Sequence, residues 1–162
     1  MNQARNVLQF TIWYQITEIG ENMEDRYLFK AKHFKEWHVG NIVKEPDGLY
    51  IRDIKENAMV YIDDESSICQ CTGLKDDNDT LIFENDVLSL ADKVSDYEWK
   101  AVVKFGNPDS NDTWGWHLVP ITECYVNREI LLWVETELNT VECRVIGNML
   151  ANDCMGQEKE RV

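Results

Sequence analysis

No run in the 162 residues approaches the roughly 18–20 apolar residues that a bilayer-crossing helix needs. The amino-terminal residues also lack a basic patch followed by a long apolar segment, which argues against a secretory signal. These two absences predict a soluble, cytoplasmic protein. Positive charge is scarce: 16 Lys and Arg stand against 30 Asp and Glu, a formal net charge of −14. Such a surface repels a phosphate backbone. The densest basic stretch, Phe29 to Lys35, holds only Lys30, Lys32 and Lys35. Direct contact with nucleic acid is therefore disfavoured, no membrane contact is expected, and the acidity also allows a basic partner.

Cysteine is few and odd in number: Cys69, Cys71, Cys124, Cys143 and Cys154. Without an export signal this pattern predicts reduced thiols packed as small hydrophobes, not a disulfide framework. Cys69 and Cys71 share a strand face, but zinc takes pairs with two to four intervening residues and needs a second pair. His33, His38 and His117 are not spaced as partners. No glycine-rich phosphate loop occurs, and no serine sits in a nucleophile-elbow setting. The expectation is no metal, no cofactor and no catalytic residue, hence not an enzyme.

Hydrophobic residues make up 44% of the chain, enough for a folded core. With only 8 glycines and 3 prolines, each turn signal is informative. Tyr27, Phe29 and Ala31 alternate as one strand face. A turn within Lys32 to Glu36 leads to Trp37, Val39 and Ile42–Val43, a hairpin pattern. Pro46-Asp47-Gly48 marks a turn, because proline presets φ and glycine accepts positive φ. Leu49–Ile51, Met59–Ile62, Trp114–Val119 and Cys143–Met149 read as strands. Along Glu98–Phe105, the residues Trp99, Ala101, Val103 and Phe105 face one way. Val87, Val103, Phe105 and Ile146 are expected in one core. Glu123–Glu137 fits a helix or a strand.

Residues 1–23 stand apart. Phe10 and Tyr14 suit one helix face and Phe10, Ile12, Tyr14 and Ile16 one strand face, with the β-branched and aromatic content favouring the strand; with Trp13 these residues are too apolar to lie free in water. They are expected as an added edge strand or at a contact between copies, so a homo-oligomer is anticipated. The tail from Gly156 is charged and expected to fray.

Two segments resemble a known family. Cys71-Thr72-Gly73-Leu74-Lys75-Asp76 precedes Ile82-Phe83-Glu84-Asn85-Asp86-Val87, and Val145-Ile146-Gly147-Asn148-Met149 lies near the end. Together with the Arg26–Lys32 and Glu36–Val43 hairpin, these motifs resemble the YopX family of phage- and prophage-encoded proteins over about residues 25–155. The resemblance implies a mainly β fold. Its parts would be a smaller β-rich region at 24–75 and an SH3-like small barrel at 76–155. It implies no reaction, since the family has no established activity. The family commonly has glycine where this chain has Asp79 and Asn85. Asn and Asp are the residues other than glycine that best tolerate the left-handed region, so these sites are read as backbone requirements.

Gly73, Asp86, Gly147 and Asn148 are accordingly structural motif residues. Gly73 is expected at a turn and Gly147 in or beside a late strand. Asp86 is expected to hold a turn by accepting backbone hydrogen bonds. The competing reading pairs Glu84 with Asp86 on one strand as acid–base carboxylates. Asp76-Asp77-Asn78-Asp79 fails as a calcium loop, because the sixth and twelfth positions are apolar in either frame; it reads as a solvated hairpin turn. Trp99, Trp114 and Trp116 are the candidate binding surface, an aromatic face of the kind that takes peptides or modified side chains. The function expected is a phage or prophage accessory protein that binds an unknown phage or host protein. The rival is an acidic decoy of nucleic acid that blocks a DNA-binding protein.

Overall fold

The computed structural model describes residues 25–94, 97–107, 114–121 and 141–151. The expectations for residues 1–23, for Glu123–Glu137, and for the tail lie outside these residues, as do Cys124 and Cys154. The fold is mainly β, and its strands pair antiparallel throughout the described residues. Among the described residues, no helix is long and apolar enough to cross a membrane. The chain divides into two compact units, Met1–Gly73 and Leu74–Val162.

The first unit holds β1 (Phe29–His33), β2 (Glu36–Glu45), β3 (Gly48–Asp53), β4 (Ala58–Tyr61) and most of β5 (Asp64–Lys75), in the order β4-β3-β2-β1-β5. Strict alternation puts Ala31, Ile42, Ile51 and Val60 on one face, where they pack with Leu49, Ile62 and Ile68. Tyr27 precedes β1 and is exposed, so it is not part of the Phe29 and Ala31 face. On the opposite face Lys30 and Lys32 lie 5.2 and 4.9 Å from the Trp37 ring. The β1–β2 turn is tight, with Phe34 at φ 54. Gly73 has φ +80, and it lies inside β5 instead of at a turn. A Cβ there would meet Arg26 Cγ at 2.4 Å.

The second unit starts at Leu74 and contains β6 (Leu81–Phe83). It also contains β7 (Asp86–Asp92), β8 (Tyr97–Gly106), β9 (Gly115–Pro120) and β10 (Val141–Asn148). The last four form a sheet in the order β10-β7-β8-β9. Cross-strand register places Leu88, Leu90, Trp99, Ala101, Val103, Leu118, Cys143 and Val145 on one face, and this face is the core. The SH3-like barrel is not confirmed: the sheet is open among the described residues, with β10 and β9 as its two edges.

Three of the four expected core partners need correction. Val103 is in the core, but Val87 is buried on the opposite sheet face, one residue out of phase with Leu88. Phe105 is 54% exposed and Ile146 is 48% exposed. Ile146 is the extra residue of a β-bulge, since Val145 pairs with Leu88 and Gly147 with Val87. A bulge leaves its extra residue unpaired and reverses the phase of the strand beyond it.

Candidate binding site

The motif residues form a polar knot that ties β10 to the rest of its sheet. Asp79 has φ 63 and Asn85 has φ 64, the left-handed backbone expected where the family has glycine. Asn85 donates its N–H to Val103 O, and its own carbonyl accepts from Met149 N–H, both at 2.8 Å. Its side-chain oxygen accepts from Lys104 Nζ. Buried Asp86 accepts from Phe83 N–H at 2.8 Å, closing the β6–β7 turn. Its other oxygen takes Asn148 Nδ2 at 2.9 Å, and Asn148 is its cross-strand partner. Asn148 in turn accepts from Leu150 N–H. Glu84 sits in the turn before β7, not on one strand with Asp86, so the two do not form the spaced carboxylate pair.

The 76–80 turn is not simply solvated. Asp76 is buried, and one of its oxygens accepts from Asn78 and Thr80 N–H, both at 2.9 Å. The other reaches Val145 N–H at 2.9 Å. Asp77 accepts from Cys143 N–H at 2.9 Å and donates its own N–H to Cys143 O. Burial works to raise the Asp76 carboxyl, but the N–H donors of Val145, Thr80 and Asn78 outweigh it and hold the group below its ordinary value. Burial, then the charges of Asp77 and Asp76, push the Cys143 thiol up to about 12. Cys69, Cys71 and Cys143 are buried.

The three tryptophans do not form one surface. Trp99 is 3% exposed and belongs to the core. Trp116 is half-buried against that core. Opposite it lies Phe105, with ring centroids 5.1 Å apart in an edge-to-face arrangement. Trp114 is 73% exposed, just before β9. The cause is positional. Trp99, Ala101, Val103 and Phe105 do share a face, but among the described residues the buried core ends at the Val103–Leu118 pair, and the Phe105–Trp116 pair overhangs it, with Trp116 at its margin. The candidate site is therefore Phe105, Trp114 and Trp116 at the end of the β8–β9 hairpin. Sequence reasoning does not find Phe105 as a site residue. Its signal is the register that Gly106 and Gly115 set when they pair at the hairpin mouth.

A second polar feature lies in the first unit, and sequence reasoning does not find it either. His38 Nδ1 is 2.9 Å from Asp53 Oδ2, and both residues are buried. Burial works to raise the Asp53 carboxyl, but donors from Glu56 N–H, His38 and Lys55 N–H lower it overall. Asp53 thereby caps the β3–β4 turn. Ser67 is similarly engaged, accepting from Lys32 N–H and donating to Asp64 O. Among the described residues, no group of three His, Cys, Asp or Glu is placed to hold a metal ion.

A family model, described as YopX protein, matches residues 21–153. No curated protein and no solved structure matches the chain.

Proposed function

The chain belongs to the YopX family, and from that premise we propose a phage or prophage accessory protein that is not an enzyme and acts by binding another protein. Phe105, Trp114 and Trp116 are the residues that meet the partner, and the partner presents a basic segment. The observation that carries this reading is the overhanging Phe105–Trp116 pair beside exposed Trp114, in a chain of net charge −14. Aromatic rings attract Lys and Arg side chains, and the acidic field steers them in. The connecting residues 107–113 carry Asp109 and Asp112 and no Lys or Arg. The protein works in the cytoplasm of the bacterial host as a homo-oligomer, without direct contact with nucleic acid or membrane. The acidic decoy is less well supported, because Asp53, Asp76 and Asp86 are turned inward onto backbone N–H groups.

The test is selection of binders from a displayed random peptide library on the intact protein. Enrichment of Arg- and Lys-bearing sequences is expected. Phe105→Ala and Trp114→Ala should each weaken their binding by about three- to tenfold, the value of a partly exposed cation–π contact. Neutral or acidic winners, or binding indifferent to both substitutions, would refute the reading. Preferred binding of a DNA-binding protein's nucleic-acid face would support the decoy instead.

A further inference from the structure

An edge strand presents unbonded N–H and C=O groups, and proteins guard such edges with charge, proline, a bulge or a covering group. β10 is guarded in the last way: the N–H groups of Cys143 and Val145 are taken by the carboxylates of Asp77 and Asp76. β4, which ends the sheet order in the first unit, has none of these devices. Ala58-Met59-Val60-Tyr61-Ile62 holds no charged residue and no proline, and its ladder with β3 runs without a shift of register. The phase of that ladder is set by Ile62 N–H, which bonds Leu49 O. Ala58 and Val60 therefore bond β3, while Met59 and Tyr61 point their N–H and C=O away from it. These two residues are 42% and 43% exposed, and neither main chain has a hydrogen-bond partner among the described residues. The chain on both sides of β4, from β3 to β5, is described throughout. The Tyr61 ring stands edge-on to Tyr50, with centroids 5.4 Å apart. Gly48 leaves room for it, since a Cβ there would meet the ring at 2.6 Å.

We infer that β4 is the contact between copies of this chain: β4 of a second copy pairs antiparallel with it about a two-fold axis at Val60, joining the two sheets. This rests on the homo-oligomer proposed above and names where the copies meet; it does not involve the aromatic site of the second unit. Two edge strands bond each other only where outward residue faces outward residue. Symmetry about Val60 meets that condition, because Met59 of each copy then lies opposite the partner's Tyr61. The Met59 thioether falls beside the partner's Tyr61 ring, a favourable sulfur–aromatic pairing. On the other face Val60 meets the partner's Val60. Val60 packs against the apolar cluster of Ala31, Ile51 and Ile62, so the pairing continues that apolar face from one copy into the next. A matching strand must be uncharged and apolar at these positions, and Ala58–Ile62 of a second copy is such a strand. Two chains of net charge −14 repel, so the contact is held by main-chain bonds and apolar burial and not by ion pairs. With a strand of four residues the dimer is weak and exchanges with monomer.

The test is a dilution series of the full chain, read by sedimentation equilibrium for mass and by NMR for amide exchange. Mass should rise from one chain to two with concentration, and association should tighten as salt screens the repulsion. Exchange at Met59 and Tyr61 should slow by about three- to tenfold in the dimer, the factor a main-chain bond produces, while Ala58 and Val60 change little. Met59→Lys adds charge to the edge, and Met59→Pro removes the outward N–H at a position where an edge strand tolerates proline. Each should weaken association by about tenfold or more and leave the amide spectrum of the dilute chain folded. A dimer indifferent to both substitutions, or one that loosens as salt rises, keeps the homo-oligomer and overturns the edge. A chain that stays single at every concentration overturns both. Slow exchange at Met59 and Tyr61 at every dilution means that β4 is covered within its own chain, and overturns the inference. Protection of the dilute chain by an added Arg-Val repeat peptide, at concentrations below those at which the chain pairs with itself, overturns the second copy in favour of a basic partner.

Discussion

Replacing Asp76 by alanine should be among the most damaging single changes outside the apolar core. Its carboxylate accepts three backbone N–H groups, from Asn78, Thr80 and Val145. Asn78 and Thr80 are exposed, so water recovers much of what they lose; Val145 is half-buried and packed against the core. A hydrogen bond to a charged acceptor contributes about 1.5–3 kcal/mol, and the partial recovery leaves a net loss of about 3 kcal/mol. At a urea dependence of about 2 kcal/mol per molar, the unfolding midpoint should fall by about 1.5 M. Asp79→Asn is the control. It removes the exposed ion pair with Lys75 while keeping a residue that tolerates the left-handed region, and should cost under about 0.5 kcal/mol. The pH dependence gives a second check. The folded carboxyl lies below its ordinary value of 3.8, so its contribution is present above 3.8 and is lost as pH falls below that value. The difference between the native chain and Asp76→Ala should shrink over that range. A midpoint shift no larger than that of Asp79→Asn, or a difference constant to acid pH, would refute the latch.

Asp79→Gly and Asn85→Val act on the same backbone feature in opposite directions: the first should be neutral or stabilising by up to about 1 kcal/mol in thermal melts, the second destabilising by about 2 kcal/mol or more. Phe105→Ala should cost only about 1–2 kcal/mol in denaturant titration, since the ring is about half exposed, whereas Leu118→Ala in the core should cost about 2–5 kcal/mol. Cys143, buried and with its thiol pushed up to about 12, should resist a thiol reagent at pH 8 in the native chain and react on unfolding in urea, as judged by mass spectrometry of the labelled peptide.

Much of the local structure is legible along the chain. Alternation marks β1, β2, β8 and β10, and Pro46-Asp47-Gly48 marks the β2–β3 turn. Asp79 and Asn85 announce left-handed positions because few other side chains tolerate them. The first third of β5, Asp-Glu-Ser-Ser, carries no strand pattern, and its extended form depends on pairing with β1. Its polar residues serve that pairing, as Ser67 does by capping Lys32 N–H.

The sequence by itself determined which residues share a strand face and where the backbone must turn, because both depend on neighbours a few positions away. It could not determine where a face stops being core. Phe105 has the same phase as Val103, yet it is exposed because, among the described residues, the buried core ends at the Val103–Leu118 pair. Nor could it show that Ile146 is the extra residue of a bulge, which is a property of the ladder with β7. The same holds for Asp76 and Asp77. Along the chain their acidity reads as solvation, but folding brings the N–H groups of Val145 and Cys143, 69 and 66 positions away, within 2.9 Å of their carboxylates. Only the tertiary structure decided that the β10 edge is closed by carboxylates, because unbonded backbone groups are identical in every residue and are distinguished solely by the groups that the fold places beside them.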